Sequence, residues 1–286
     1  MIHGSGACYG SANGPATPKK NFACINVYDP ASRLMMIARC CLALLLVGSA
    51  PPVAAATLPE KLELEYDLTR NGIGIGEVSR TLQRRTNGSY VHTMWTRPTG
   101  LARLLTQTEW REEGEFIVQG TDVLPRRFSG TRTGDKRAYE HRVAFNREKS
   151  LLLFSNAASQ PLPRDIQDQS SAIYALMLNP IAQAGEHILP LTDGKDIEMY
   201  RFIYQGKESL PTLFGAHEAV VIRRVSQKQF EHEQRCRTQT KPDADCKEPD
   251  DFTLWLLPEK CYVPVKLERR RKDETTTMAL RAARGL

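Results

Sequence analysis

From Leu58 onward the sequence alternates, and that period of two governs what the chain can become. In KLELEYDL, Leu62, Leu64, Tyr66 and Leu68 occupy every second position with charges between them. This is the pattern of a strand with one face buried and one in water. EVSRTLQRR continues it, with Val78, Arg80 and Leu82 on one side and Glu77, Ser79 and Thr81 on the other. The period recurs in SYVHTMWT, LTQTEWREE, EFIVQGTDV, RRFSGTRTG, RAYEHRVAFN and SLLLFS. It returns in DIEMYRFIYQG, HEAVVIRRVS, DFTLWLLP, YVPVKLERRR and TTTMALRAA. Short Gly, Asp or Asn turns separate many of these runs. Long alternating strands at about ten-residue spacing predict a mainly β fold, a curved antiparallel meander forming a barrel or half-barrel. No internal repeat is visible.

The glycines of NGIGIG (71–76) test this reading, because spaced glycines after a strand can also cradle a phosphate. A dinucleotide loop needs a helix after it, whose N-terminus meets the pyrophosphate. Nothing after Gly76 reads as a helix, and the spacing is G-x-G-x-G. Asn71-Gly72 is instead a strong hairpin signal, and the following glycines let a strand bend or bulge.

One segment breaks the alternation. After the proline-containing loop ASQPLPRDIQ (158–167), DQSSAIYALMLNP reads as one short inserted helix near 170–179. Asp168, Ser170 or Ser171 can cap it, Ile173, Leu176 and Met177 make an apolar stripe, and Asn179-Pro180 closes it. Such a helix suits one end of a curved sheet. GLARLL (100–105) can form a further helical turn.

The start of the chain is different in kind. In MMIARCCLALLLVGSAPPVAAAT, Arg39 precedes an apolar run from Cys40 to Val47. A Gly-Ser-Pro-Pro break and Ala54-Ala55-Ala56 follow. These are the parts of a signal peptide over 35–56, with cleavage between Ala56 and Thr57. The apolar core is far short of the roughly 20 residues a membrane span needs, so no transmembrane segment is expected after cleavage. Residues 1–34 lack sustained periodicity and read as a mis-set start or a disordered extension. The rest, 57–286, reads as a single β-rich domain exported to the periplasm of a Gram-negative bacterium.

Without residues 1–56 the chain carries 35 basic and 32 acidic residues, a net charge of +3 rather than +6. That is too weak a field to expect nucleic acid as a partner. Cys236, Cys246 and Cys261 are the cysteines left. In an oxidising compartment, the turn-rich CRTQTKPDADC predicts a Cys236–Cys246 disulfide stapling a long loop at 235–250. Cys261 is expected to be buried as a small apolar group. A zinc site from His232, Cys236, Cys246 and Cys261 lacks the usual ligand gaps, so no metal is expected.

Catalytic constellations are equally scarce. There is no G-x-S-x-G elbow, and His217-Glu218 and His232-Glu233 lack a second histidine four positions on. His92 and His141 lie on expected strands, where surface or cross-strand roles are the default. Asp165 and Asp168 form a possible carboxylate pair, with loop solvation and helix capping as the simpler explanations. ERRRK (268–272) reads as an exposed strand face or edge, with an anionic ligand as the alternative. Trp95, Trp110 and Trp255 are expected in the core, or lining a lipid cavity. No catalytic residue and no cofactor is assigned.

The order of elements resembles the bacterial exported-protein family known as domain of unknown function 3108. The likeness rests on LELEYDLTRNGIGIGEVSRTL, on DQSSAIYAL (168–176) and on TLWLLPEKCYVPVKLE (253–268). It implies a periplasmic β-rich fold with one inserted helix, and brings no catalytic residues with it. The cysteine-bracketed insertion departs from the family pattern.

Three functions follow as expectations. The first is a non-enzymatic protein that binds or carries a lipid or other apolar envelope ligand in a curved β-sheet cavity; an inward face of small residues would support it. The second is a structural or assembly factor of the envelope with a packed interior, acting through its surface. The third is a hydrolase of envelope polymers, which would need Asp165, Asp168 and His187 gathered in a cleft. Oligomeric state is open.

Overall fold

The structure, a computed structural model, describes residues 57–134, 138–181, 183–238, 246 and 250–286. The expected signal peptide, Ala56 and residues 1–34 lie outside them; Thr57 is the first residue described. Among these residues fifteen strands form one sheet, in the order β8-β7-β6-β5-β4-β3-β2-β1-β15-β14-β13-β12-β11-β10-β9. All neighbouring pairs are antiparallel except β9 (Gln167–Asp168) and β10 (Glu186–Thr192). The meander therefore runs in both directions from β1, and the C-terminal strand β15 (Glu274–Arg284) returns to pair with β1 (Lys61–Arg70).

The sheet does not close, but it curls far round. β9 (Gln167–Asp168) at one free edge lies against β5 (Asp122–Thr133), where Gln167 Nε2 donates to the Val123 carbonyl at 2.8 Å. Past this seam, β6 (Tyr139–Asn146), β7 (Leu151–Phe154) and β8 (Ser159–Pro161) continue as a flap with its own apolar cluster. Phe128, Val143, Phe145, Leu152, Phe154 and Ile166 are buried in it, with Ile197 of β11 (Ile197–Thr212) packed alongside. The half-barrel reading holds.

The hairpin at NGIGIG forms as the dipeptide signals. Asn71 and Gly72 both take positive φ, 48° and 77°. Leu68 then pairs with Gly76 and Thr69 with Gly74, so the ladder bulges within the glycine run. Gly76 has a second reason to be glycine: a Cβ there would stand 2.5 Å from the Arg97 carbonyl oxygen of β3 (Tyr90–Pro98). Gly114, which separates two of the expected runs, lies inside a strand, β4 (Glu109–Gln119), and the β4–β5 turn is at Gly120, inside the expected run EFIVQGTDV.

Three helices complete the described fold. α1 (Ala102–Leu105) is the expected single turn between β3 and β4. α2 (Ser171–Leu178) is the inserted helix, and seven of its eight residues are buried. Its packing goes beyond the expected stripe, because an apolar helix seals on all sides only inside other structure. It fills the concave side of the sheet beside Leu64, Tyr66, Phe116 and Phe202 in the main core. α3 (Gln227–Thr238) was expected as loop and follows β12 (Gly215–Ser226) directly. None of its residues is buried, so no apolar period marked it.

Candidate functional site

The most unusual chemistry lies inside the core, where the strand register lines up three polar residues on the apolar phase. Arg80 of β2 (Ile73–Arg84) faces Met94 of β3, which faces Glu112 of β4. His92 lies one step along, opposite Leu82 and Gly114. A Cβ at position 114 would fall 2.1 Å from His92 Nε2. Gly114 thus makes the room that the imidazole occupies.

α2 brings the remaining members. Asp168 Oδ1 accepts from the backbone N–H of Ser170 at 3.0 Å and of Ser171 at 2.8 Å, capping the helix. Ser171 Oγ accepts in turn from the Asp168 N–H at 2.9 Å. The Ser170 hydroxyl donates to Glu112, whose other oxygen accepts from Trp110 Nε1 at 2.8 Å. His92 Nε2 lies 3.7 Å from Asp168 Oδ1, and both residues are wholly buried. The ring of Tyr174 stands 5.8 Å from that of His92.

Burial sets the protonation states. It pushes His92 down to about 3, and the Arg80 guanidinium lowers it further. Burial pushes Asp168 up to about 6, against the pull of its hydrogen bonds from Ser171 and Ser170 and with Glu112 adding to the rise. The two side chains are therefore near neighbours but no ion pair: the imidazole stays neutral where the carboxyl ionises. Tyr66 and Tyr174 are likewise raised by burial. Arg80 Nη1, both His92 ring nitrogens, Asp168 Oδ2 and the Tyr174 hydroxyl have no hydrogen-bond partner. A serine bonded to a glutamate rather than to the histidine, sealed from water, is not a nucleophile–base pair. What this arrangement does is lock α2 onto the strands at one register.

An open cleft of about 490 Å³ lies beside the β5–β9 seam. Asp122, Asp165, Gln167, Asn179 and His187 line it together with Leu176 and Leu189. Of the three residues required for a hydrolase, it gathers Asp165 and His187. Asp168 faces inward to the buried cluster instead. Asp165 is solvent-exposed beside Arg164 at 3.6 Å, while burial lowers His187.

The other candidates scatter. His92 is a core residue, not a surface or cross-strand one. His141 stacks on Tyr139 with ring centroids 4.7 Å apart, and His217 pairs with Glu259. Cys236 and Cys246 form the expected disulfide, which begins in the last turn of α3 rather than in a loop. Their thiols are thus not available to zinc, and His232 stands 3.6 Å from Cys236 Sγ. Among the described residues no group of three or more His, Cys, Asp and Glu is placed to hold a metal. Cys261 is exposed, contrary to expectation, because it sits at positive φ (52°) in the turn between β13 (Asp251–Leu257) and β14 (Val263–Arg271). Trp255 is in the core. Trp95 and Trp110 are only half-buried: Trp95 lies on the face of β3 away from its apolar phase, while Trp110 stands on the apolar phase of β4 with its indole N–H on Glu112. Arg269 to Arg271 end β14, an inner strand of the sheet, with Arg269 held by Asp250 and Arg270 by Glu268.

Sequence reasoning missed Arg80 and Glu112, and set His92 aside as a surface or cross-strand residue. Their signal was present, since each stands on the apolar phase of its strand, between Val78 and Leu82, Tyr90 and Met94, and Trp110 and Gly114.

Among the described residues no helix is long and apolar enough to cross a membrane. Residues 65–281 match the family described as "Protein of unknown function (DUF3108)". No curated protein matches the chain. Among solved structures the chain is similar to a beta-barrel-like protein of domain of unknown function DUF1849 from Brucella abortus. The TM-score is 0.51 at 12% identity, over 80% of this chain and 98% of that one. The likeness is one of fold.

Proposed function

The chain belongs to the DUF3108 family, whose description carries no activity, so its role has to be read from its own chemistry; we propose a non-enzymatic protein of the cell envelope that acts through contacts on its outer surface. The observation that carries this reading is the filled interior. The concave side of the sheet holds α2 and the large side chains of Tyr66, Phe116, Tyr174 and Phe202, each at most 2% exposed. A carrier of apolar cargo needs an inward face of small residues around an empty volume, and this face is bulky. The polar cluster speaks the same way: its carboxylates bond to the start of α2, and they and the histidine are buried out of reach of substrate. A periplasmic setting is supported by the leader pattern at 35–56 and by the Cys236–Cys246 disulfide.

Native mass spectrometry on protein purified from a periplasmic extract without detergent tests the reading. The expected spectrum is the bare polypeptide from Thr57, heavier by two protons once the disulfide is reduced. Extra mass that disappears on organic extraction would instead establish a carried lipid and overturn the surface-acting role.

A further inference from the structure

One end of the sheet gathers exposed apolar and basic side chains that no described residue covers. The β1–β2 turn, the β3–β4 connection and the β14–β15 turn all lie there, as the pairings of Arg70 with Thr276 and of Gly76 with Pro98 require. Ile73 is 70% exposed, and Leu101, Leu104 and Leu105 are 81%, 82% and 89% exposed. Single exposed leucines need no explanation, but three within five residues beside an exposed isoleucine do. The segment is also ordered rather than loose. Thr99 N–H donates to the Ile75 carbonyl at 3.3 Å and Thr106 N–H to that of Ala102 at 3.0 Å, so α1 projects from a fixed base.

The charge around this tip is mixed with a basic excess: Glu274 pairs with Arg70 and Glu77 with Arg97, and three exposed cations face the exposed Asp273. Arg103 is exposed within the leucine segment, and Arg271 and Lys272 are exposed on the β14–β15 turn. That turn is tied to the β1–β2 turn, where Asn71 N–H donates to the Thr275 carbonyl at 2.8 Å. At about 4.8 Å per strand, β14 and β3 are only about 20 Å apart. Beneath α1 a cleft of about 700 Å³ is lined by Trp95, Arg97 and Arg103 together with Glu77 and Glu109, which bond Arg97 and Trp95 respectively. The guanidinium of Arg97 lies 4.4 Å from the Trp95 ring centroid. Exposed leucines flanked by arginine and lysine, with a half-buried tryptophan behind them, fit the boundary between acyl chains and anionic headgroups.

We propose that this end of the molecule docks on an anionic lipid bilayer, Ile73, Leu101, Leu104 and Leu105 entering the interface while Arg103, Arg271 and Lys272 meet headgroup phosphates. The inference names the surface partner and so rests on the surface-acting role above.

Co-sedimentation with vesicles tests it, using exported protein whose N-terminus has been fixed by mass spectrometry. The protein is expected to sediment with phosphatidylethanolamine–phosphatidylglycerol vesicles, and much less with phosphatidylcholine. L101S/L104S/L105S should weaken binding at least about tenfold. R271E/K272E should weaken it about tenfold too, and abolish most of its salt sensitivity. Thermal midpoints of both variants should match wild type, because the altered side chains are exposed. Unchanged sedimentation of both variants, or no binding of wild type to either vesicle, overturns the proposal. Self-association of wild type without vesicle binding, lost in the leucine variant, overturns it in favour of a protein interface. An apolar cargo seen by native mass spectrometry would sink the surface-acting role while leaving the sedimentation result standing, so the two failures are separable.

Discussion

At the scale of single residues, the buried pair His92 and Asp168 makes stability depend on pH in two opposing ways. Asp168 holds its proton more tightly folded than unfolded, at about 6 against 3.8. Its contribution therefore falls as pH rises from about 4 to 6. His92 does the reverse: held to about 3 against 6.5, it contributes stability above 6.5 that is lost as pH drops toward 3. Burial sets both shifts, with Arg80 adding to the fall at His92 and Glu112 to the rise at Asp168; the Tyr174 ring faces the same space. Between pH 4 and 6 the two slopes largely cancel in wild type. Asp168→Asn keeps an oxygen to accept from the Ser170 and Ser171 N–H groups and deletes only the acid's part. Chemical denaturation of the variant should then show stability rising across that window. At pH 7 it should exceed wild type by up to about 3 kcal/mol, at ~1.4 kcal/mol per pKa unit. A variant that is weaker at pH 7 and gains nothing with pH would mean that Asp168 works as the ionised partner of His92. None of this was legible from residue types alone, because a lone histidine on a strand is usually superficial. Only the phase shared with Tyr90 and Met94 marked it as internal.

Elements were legible where periodicity speaks and silent where tertiary contacts decide. β1 and β2 follow their alternation closely, β13 and β14 form where expected but bury runs of consecutive residues, and DQSSAIYALMLNP becomes α2. Gly114 misled because a glycine in a strand looks like a turn until the partner across the sheet is known. For Gly114 that partner is the His92 ring. α3 has no such partner, so its polar sequence reads as loop. Its attachment is by surface contacts: Arg223 bonds Glu233 at 2.6 Å, Arg201 bonds Gln227 at 2.6 Å and lies over the Phe230 ring, and the Cys236–Cys246 bond closes its end. A disulfide spanning this separation removes chain entropy worth at most about 3 kcal/mol from the unfolded state. With no buried residue, α3 can open without the sheet. C236S/C246S should thus speed hydrogen exchange in amides 227–238 while leaving those of β12 and β13 unchanged. Equal acceleration in the strands would show that the bond braces the whole sheet.

For the whole molecule, the decisive property is that the sheet curls without closing, so its two ends have unequal support. Strand count and turn spacing pointed to a barrel or half-barrel, but closure depends on how the margins meet, which no local pattern encodes. Here β9 meets β5 by the Gln167 side chain rather than by a ladder, and the chain beyond β5 had to find its own cover. The flap does so with a cluster of six buried side chains, against a main core that runs from Leu58 to Leu280. Ile166 and Ile197 belong to the β9–β11 margin, so the flap is fastened there by contacts distant in sequence. Gly194, in the turn before β11, allows the approach, since a Cβ there would stand 3.3 Å from His141 of β6. Such a region should open below the free energy of global unfolding. Leu152→Ala, deleting a fully buried side chain from the smaller cluster, should cost about 2–5 kcal/mol. That loss is expected in flap amides (139–161) under native exchange, while amides of β1, β2 and β14 keep their protection. If all strands lose protection together, the flap and the main core are one cooperative unit, and the seam at Gln167 couples them more tightly than its single hydrogen bond implies.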